Sequence, residues 1–270
     1  MRDNQLIQLD IKTLDYLYNV EKLSSLKLAK HFNCSKSSIL RIMKSNNITR
    51  RKMSEAKRIF TINEHYFDVI DSEEKAYWLG FIYADGNIYQ NKLQVGLSNT
   101  DLNHLIKLKN TLNSGQNLYK DRTCTKLIVH SDILTNNLIK LGCFKKKSFT
   151  IRFPTKEQVP DNLLRHFMRG MFDGDGCIIT NLETKHWHFQ LNSNLEFCKI
   201  YYSVLLQGSG FKKKRGNVYK EKRRETDCWF INIGSTNKVN LFKIFTYLYC
   251  GASIFLERKK NKFEKMIYAK

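Results

Sequence analysis

The spacing of apolar residues predicts a short helical segment at the start of the chain. Leu14, Leu17 and Tyr18 recur at i, i+3 and i+4, which is the spacing of one face of a helix. Apolar residues at 26–32 predict a short second helix, and Ser35 is a suitable N-cap for a third helix that ends near residue 45. Two short helices joined by a turn of about three or four residues form a helix-turn-helix.

The rest of the chain alternates helical and strand patterns, and the order of the elements repeats. Two stretches alternate apolar and polar residues with a period of two, which predicts strands with one buried and one polar face. Each copy is predicted as α-β-β-α-β-β-α. The apolar strand positions are Leu93, Val95 and Leu97 and, in the second copy, Trp187, Phe189 and Leu191; later elements are expected at 101–112, 126–130 and from Ser131, and at 195–206, 229–233 and from Ser235.

The clearest repeat is a helical motif at 77–86 that recurs at 167–176. Ser72 and Asp161 are expected to cap the two helices at their N-termini. Two small residues four positions apart lie on one face of each helix and allow the two helix backbones to approach closely. They are Gly80 and Ala84 in the first copy, and Gly170 and Gly174 in the second. The strand patterns are offset by 94 positions rather than ninety, which predicts four extra residues in the second copy's first hairpin.

One carboxylate ends each copy of the helical motif. Asp85 and Asp175 are ninety positions apart, and close packing of the helices would bring them together at the two C-termini. The glycines that follow, Gly86 and Gly176, are expected in the left-handed conformation that ends many helices. Two adjacent carboxylates at a negative helix end repel each other, so the arrangement predicts divalent cations between them.

Charge points to a polyanionic partner. The 270 residues contain 46 Lys and Arg against 25 Asp and Glu, a formal net charge of +21, and 42% of them are apolar, enough for a buried core. Nucleic acid is the leading candidate partner. No uncharged apolar run approaches the roughly 18 residues of a membrane span, and the first thirty residues lack an apolar signal-peptide core. The seven cysteines form no C-x-x-C pair, which favours reduced, mostly buried thiols and a reducing compartment, cytoplasmic or organellar, rather than secretion.

The helical N-terminal segment is a candidate DNA-binding module. It resembles the helix-turn-helix units of resolvases and sigma-like regulators, and residues 11–60 hold twelve Lys or Arg against three acids. A third helix of this kind meets base edges and phosphates in the major groove. The residues expected to contact DNA are Lys36, Ser37, Ser38 and Arg41, followed by Arg50 and Arg51 in a basic connector.

Two such motifs at this separation resemble a single-chain LAGLIDADG homing endonuclease. The resemblance covers about residues 60–270, and both copies keep the terminal Asp-Gly. It implies an α+β fold, two pseudo-symmetric αββαββα repeats that form a DNA-binding saddle, preceded by a small all-α helix-turn-helix domain. The expected domains are 1–52 (helix-turn-helix), 53–71 (basic connector), 72–153 (first repeat), 154–160 (linker, with both prolines of the chain) and 161–270 (second repeat).

The resemblance also implies site residues. Asp85 and Asp175 would bind Mg²⁺, helped by the backbone carbonyls of Ala84 and Gly174, and Lys147 and Lys259 match lysines near the family's active sites. Tyr83 replaces the first Asp of the motif, whereas Asp173 keeps it; that position is not the family's metal ligand. Base contacts are expected from Asn87, Tyr89 and Gln94 in the first sheet and Thr180, Lys185, His188 and Gln190 in the second, with Lys213 and Arg215 over the phosphate backbone.

The implied activity is metal-dependent hydrolysis that makes a staggered double-strand break in a long DNA target. The polar strand positions of the two copies differ throughout, so the target is predicted to be asymmetric and the enzyme monomeric. Two alternatives remain open. One is an intron RNA maturase with RNA as partner, and the other is a transcriptional regulator that binds DNA without cutting it.

Overall fold

The computed structural model describes residues 10–51, 60–144, 150–181, 186–211, 218–221, 228–235 and 238–268. The chain divides into two compact units, residues 1–59 and 60–270, here called the N-terminal unit and the body. Each unit has its own hydrophobic core. Residues 60–71, expected in the connector, belong to the body, because Phe67 and Ile70 are buried in its core.

The N-terminal unit contains the three predicted helices. They are α1 (Ile11–Asn19), α2 (Ser25–His31) and α3 (Lys36–Ser45). Asp10, Ser24 and Ser35 cap them, and the Ser35 hydroxyl accepts the Ser38 backbone N–H at 3.0 Å, as predicted. Their apolar faces meet around Leu14, Leu28, Ile39 and Met43, so the periodicity alone accounts for this core.

The body repeats one order of elements twice, which confirms the predicted fold class. The first half comprises α4 (Glu73–Asp85), β1 (Gly86–Tyr89), β2 (Lys92–Ser98), α5 (Leu102–Thr111), β3 (Tyr119–Lys120), β4 (Cys124–His130) and α6 (Asp132–Lys140). The second comprises α7 (Leu164–Asp175), β5 (Gly176–Asn181), β6 (His186–Ser193), α8 (Leu195–Ser209), β7 (Val218–Lys220), β8 (Trp229–Ser235) and α9 (Val239–Tyr249). A further helix, α10 (Glu257–Tyr268), follows the second half.

Each half builds one antiparallel four-stranded sheet with a covered and an open face. The strand orders are β1-β2-β4-β3 and β5-β6-β8-β7. Alternate residues such as Leu93, Val95 and Leu127 point into the core, because helices of the same half pack on that side. The strand residues between them are half-buried or exposed, so the other face of each sheet is open.

The two central helices α4 and α7 pack with their backbones in contact, as the small residues predict. A Cβ atom built on Gly80 would lie 2.0 Å from the Phe167 carbonyl oxygen, and one on Gly170 would lie 2.0 Å from the Tyr77 carbonyl oxygen. Any side chain at either position would therefore separate the helices. This contact fixes how the two halves of the body are arranged.

The glycines after the two motifs are not left-handed, so that prediction is wrong. Gly86 and Gly176 have φ of −78° and −77° and continue directly into strands. Glycine is required there for space, since a Cβ on Gly86 would lie 2.6 Å from the Ile82 carbonyl oxygen and one on Gly176 would lie 2.1 Å from the Phe172 ring. The sharp change from helix to strand creates this crowding.

Three local predictions need correction. Asp161 does not cap α7: it begins a 3₁₀ turn, Asp161–Leu163, and its carboxylate contacts Lys156 at 2.7 Å. Ser235 ends β8, and α9 begins only at Val239. The cysteines are all free, but of the seven only Cys143 and Cys198 are buried.

The first hairpin of the second half is six residues longer than that of the first, not four. Nine positions separate Gly86 from its cross-strand partner Val95, and fifteen separate Gly176 from Leu191. A shift of two residues keeps every side chain on the same face of a strand. The alternating pattern therefore identifies the faces correctly but cannot distinguish registers that differ by two.

Candidate active site and nucleic-acid interface

Asp85 and Asp175 end the two central helices, and both stand at the start of a sheet. A Cβ built on Gly174 would lie 2.1 Å from the Ala84 Cβ and 3.3 Å from an Asp85 carboxylate oxygen. The carboxylate of one helix thus lies against the C-terminal turn of the other. Asp85 is half-buried and Asp175 is exposed, so the pair lies at the surface of the body, where β1 and β5 begin.

Lys259 on α10 joins this pair. Its ammonium donates to the carbonyl oxygens of Gly174 at 2.6 Å and of Phe172 at 3.1 Å. Burial lowers the pKa of Lys259, while the negative charges of Asp173, Asp85 and Asp175 act in the opposite direction. Of the two lysines expected near the aspartates, Lys259 therefore lies at the site, whereas Lys147 falls outside the described residues.

The oxygen atoms at the paired helix ends suit a hard divalent cation. Carboxylates and backbone carbonyls are the ligands that Mg²⁺ prefers, and Mg²⁺ usually keeps several waters and uses only one or two protein carboxylates. Asp85 and Asp175 match this set, and the described residues contain no group of three or more His, Cys, Asp or Glu side chains suited to a metal. The Gly174 carbonyl already accepts from Lys259, but its oxygen has a second lone pair.

The third motif aspartate, Asp173, is buried and has a structural role. Its carboxylate accepts the hydroxyls of Tyr249 at 2.6 Å and Tyr77 at 2.8 Å and the Leu256 backbone N–H at 2.7 Å. Burial raises its pKa despite these bonds. At the matching position of the first half, the hydroxyl of Tyr83 donates to the Leu141 carbonyl. Both residues tie a motif helix to a later segment of their own half, which explains how Tyr can replace Asp.

A buried ion pair joins the halves at the other end of the central helices. The Arg169 guanidinium on α7 contacts Glu73 on α4 at 2.8 Å and also donates to the carbonyls of Leu248 and Ile254, both at 2.9 Å. Burial raises the pKa of Glu73, but the Ser253 N–H and the charge of Arg169 outweigh it, so the pKa lies below its usual value of 4.5. Glu73 is therefore ionised near neutral pH.

Replacing Glu73 by Gln is expected to destabilise the body by about 3 kcal/mol, because it leaves the buried Arg169 charge without a counter-ion. Because the pKa of Glu73 is lower in the folded body than its usual value of 4.5, its charge stabilises the body above pH 4.5. This stabilisation is lost as the pH falls further and Glu73 becomes protonated. Urea unfolding of both proteins between pH 7 and pH 4 measures the difference, which should shrink at the acidic end. Glu257→Gln, at an exposed pair with Lys107, is the control and should cost less than about 0.5 kcal/mol. A difference independent of pH would contradict the role of the Glu73 charge.

The open faces carry most of the residues expected to read bases. Cross-strand pairing places Asn87 with Gln94 and Cys177 with Gln190 on the open sides of the two sheets. Tyr89 is 55% exposed on the same side of the first sheet. No strand among the described residues contains an acidic residue, so these strands add no negative charge to the open faces.

His188 also lies on the open side, but part of its ring is already engaged. Its Nδ1 is 3.0 Å from the Asn232 side-chain oxygen, and the ring covers Gly234, where a Cβ would lie 2.6 Å from it. His188 and Asn232 therefore present one joined polar surface. This contact crosses from β6 to β8, and the sequence gives no sign of it.

Thr180 is on the wrong side for base contact. It pairs with Trp187, which is buried, and lines a cavity of about 460 Å³ with Trp187 and the α10 residues Arg258, Lys262 and Lys265. The alternation of β5 already indicates this, because Ile178 is buried and Thr180 lies two positions further on. Lys185, Lys213 and Arg215 lie outside the described residues.

In the N-terminal unit the predicted DNA-contacting residues divide into two groups. Lys36, Ser37, Arg41 and Arg50 are exposed, whereas Ser38 is half-buried and its hydroxyl is 2.9 Å from that of Ser35. The Arg51 guanidinium donates to the carbonyls of Lys22 at 3.0 Å and Leu23 and lies over the Tyr18 ring. The Arg51 guanidinium is therefore engaged within the N-terminal unit, where it ties the residues after α3 to the segment between α1 and α2.

Sequence patterns did not reveal the contact that Arg258 makes on α10. Arg258 on this helix binds the buried carboxylate of Asp101 in the first half, with a shortest distance of 2.8 Å. Together with Lys259 at the aspartate pair, it attaches α10 to both halves. The charge-rich sequence of α10 resembles a solvated surface helix, and only Phe263 and Met266 mark a buried face.

No described helix is long and apolar enough to cross a membrane.

No protein-family model matches the chain. Over 261 residues, the chain is 23% identical to the uncharacterized protein MJ0398 of Methanocaldococcus jannaschii, covering 90% of this chain and 85% of that protein. A 160-residue stretch, 57% of the chain, is 28% identical to the replication factor C small subunit of the same organism and spans only 8% of that protein.

Solved structures with a similar arrangement of elements are LAGLIDADG homing endonucleases at low sequence identity. The meganuclease I-SmaMI bound to uncleaveable DNA is 12% identical, with a TM-score of 0.49 over 72% of this chain and 90% of its own. The LAGLIDADG homing endonuclease I-LtrWI bound to its target DNA is 14% identical, with a TM-score of 0.45 over 76% and 91%. The LAGLIDADG meganuclease I-CpaMI bound to uncleaved DNA is 11% identical, with a TM-score of 0.48 over 73% and 90%.

Proposed function

We propose that the body is a site-specific, Mg²⁺-dependent DNA endonuclease that hydrolyses both strands of a long asymmetric target and leaves staggered ends. One observation carries the proposal. Two carboxylates from equivalent helices, Asp85 and Asp175, converge where two acid-free sheets begin. A pair of cleavage centres beside two base-reading surfaces is what a double-strand cut at a defined sequence requires.

The roles of the residues follow from their positions. A bound Mg²⁺ would lower the pKa of a water molecule and stabilise charge on the scissile phosphate. Asp85 and Asp175, with the carbonyls of Ala84 and Gly174, would hold the cation. The Lys259 ammonium adds positive charge beside these groups, where negative charge develops on phosphate oxygens in the transition state.

Sequence recognition is assigned to the open faces. Side chains with paired donors and acceptors, such as Gln94 and Gln190, can each bind adenine in the major groove through two hydrogen bonds. These two glutamines occupy equivalent registers, opposite Asn87 and Cys177 respectively. We therefore expect the two halves of the target to share the base pair that the glutamines contact and to differ at most other positions.

The N-terminal unit is proposed as a second DNA-binding surface. Lys36, Ser37 and Arg41 lie on the exposed side of α3, opposite the buried Ile39 and Met43. A basic helix with this exposure suits the major groove. Both aspartates belong to one chain, so a single copy suffices for cutting both strands, and we propose that the protein acts as a monomer.

Selection from a random double-stranded DNA library tests the function. The full chain is incubated with the library, once with Mg²⁺ and once with EDTA, and both bound and cut molecules are sequenced. We expect one long asymmetric site, cut on both strands in Mg²⁺ and left uncut in EDTA. Sequence-specific binding without cutting in Mg²⁺ would favour the regulator, and selective binding of structured RNA over all DNA would favour the maturase.

A further inference from the structure

A second repeat, outside the motif helices, occurs in the outer strands of the two sheets. Asn-Leu-Tyr-Lys-Asp-Arg at 117–122 recurs as Asn-Val-Tyr-Lys-Glu-Lys at 217–222, one hundred positions later. The described residues of these segments include β3 and β7, each of which contains a Tyr-Lys step. The two steps, Tyr119-Lys120 and Tyr219-Lys220, are here called the edge steps.

The two edge steps occupy equivalent places. β3 and β7 are the strands farthest from β1 and β5, which follow the two aspartates. The residue after each step bonds to the residue at or next to the start of the neighbouring strand, with 2.8 Å bonds from the Asp121 N–H to the Cys124 carbonyl and from the Glu221 N–H to the Cys228 carbonyl. The repeat is therefore structural as well as sequential.

Both tyrosines lie on the open faces. Tyr119 pairs with Lys126 and Tyr219 with Phe230, and these partners are on the open sides of β4 and β8. The rings are 61% and 45% exposed. Large aromatic side chains with this exposure, at the rim of a face that carries no acidic residue, indicate a contact surface.

The edge steps match, although most other open-face positions differ between the halves. Side chains that read different base pairs must differ, whereas side chains that meet the same group at both ends can stay alike. Sugar and phosphate are the same in every DNA sequence. The equivalent open-face positions at which the two halves have different residues are Asn87 and Cys177, Tyr89 and Ile179, Lys92 and His188, Gly96 and Asn192, Lys126 and Phe230, Ile128 and Asn232, and His130 and Gly234.

We propose that the two edge steps are matched clamps that bind DNA backbone phosphates at the outer ends of the body's binding face; this rests on the proposed function. The tyrosine hydroxyl donates a hydrogen bond to a phosphate oxygen, and the exposed lysine ammonium supplies the charge. Three strand spacings of about 4.8 Å separate β3 from β1, so each clamp lies about 14 Å from the first strand.

The nearby acids do not oppose this role. The Asp121 carboxylate accepts the Arg122 backbone N–H at 2.7 Å and approaches Lys126 at 3.8 Å. The Asp121 carboxylate is therefore bonded to the backbone of the next residue and lies near a lysine on the neighbouring strand, β4. Lys120 and Lys220 pair with Thr125 and Trp229 and so start from the covered sides of the sheets, but both are exposed at the free edges of β3 and β7, around which their long side chains can reach the open faces.

The experiment measures DNA binding by the full chain on its selected target, in Ca²⁺ or without a metal so that no cutting intervenes. Tyr119→Phe and Tyr219→Phe remove only the hydroxyls and should each weaken binding about fivefold, by the same factor whatever the base pairs at the ends. Lys120→Gln and Lys220→Gln should each reduce the slope of log K against log salt by about 1. Ethylation of the outermost phosphates at one end of the target should weaken binding by the wild type. The same ethylation should have no effect on a variant that lacks the clamp at that end.

Phe242→Ala is the control, because Phe242 is an exposed aromatic on α9, a helix that packs on the covered side of the second sheet. It should change neither affinity nor slope. Wild-type binding with no interference from outer phosphates, or losses that depend on the base pairs at the ends, would overturn the clamps while leaving the proposed function intact. Absence of specific DNA binding by the wild type would instead overturn the proposed function itself.

Discussion

Asparagine at position 85 or 175 is expected to abolish double-strand cleavage and leave DNA binding nearly unchanged. Either substitution keeps the shape of the side chain but removes the charge that a divalent cation needs, so cleavage should fall by about 10³-fold or more. Binding should change by less than about threefold, since the open faces remain intact. Single-turnover reactions on a supercoiled plasmid that carries the selected site measure the cutting of both strands as linear product. Linear product should disappear in Asp85→Asn and in Asp175→Asn.

Asp121→Asn is the matched control for this experiment. It removes the same charge from an exposed residue directly after β3, the strand of the first sheet farthest from β1. It should form linear product at the wild-type rate. Linear product at the wild-type rate in Asp85→Asn or Asp175→Asn would contradict the assignment of the cleavage centres, and loss of binding in either would show that the residue acts through the fold.

The central helix pair and its two aspartates could be predicted because their signals are local and occur twice. Gly80 and Gly170 have no side chain, and only contact with another backbone explains a repeated small residue on a helix that is otherwise large and apolar. Asp85 and Asp175 follow at the same distance from them. The repetition therefore fixes which helices meet, which faces touch and where the carboxylates lie.

The sheet faces were predictable, and their registers were not. A period of two identifies the inward positions, as Leu93 and Phe189 show. Pairing depends on loop length, and a loop longer by two residues leaves the apolar pattern unchanged. Thr180 shows a different error: its polar side chain suggested the open face, whereas its distance from Ile178 requires the covered one.

Contacts between distant segments were beyond the reach of pattern analysis. Arg169 and Glu73 are 96 positions apart, and Arg258 and Asp101 are 157 apart. A charged residue in sequence looks the same whether it faces solvent or a buried partner. Arg51 is a related case, because its spacing fits a basic connector while its guanidinium binds backbone carbonyls within the N-terminal unit.

Alanine at Gly80 or Gly170 is expected to remove about 4 kcal/mol or more of the body's stability. The added Cβ would lie 2.0 Å from a backbone carbonyl oxygen of the facing helix, and backbone atoms cannot rotate away as a side chain can. Urea unfolding measures the loss. Gly96→Ala is the control, since its Cβ would meet the flexible Lys126 side chain at 3.3 Å and should cost less than about 1 kcal/mol.

A swap of small residues keeps this prediction testable even where the single variants fail to fold. In Gly174→Ala the new Cβ would lie 2.1 Å from the Cβ of Ala84, which is a side-chain atom and can be deleted. Adding Ala84→Gly removes that clash, so the double variant should recover most of the lost stability, because the glycine added to α4 is offset by the glycine removed from α7. If both halves approach as closely as we describe, the two substitutions couple strongly. Additive effects would mean that the central helices are farther apart and that the aspartates do not converge.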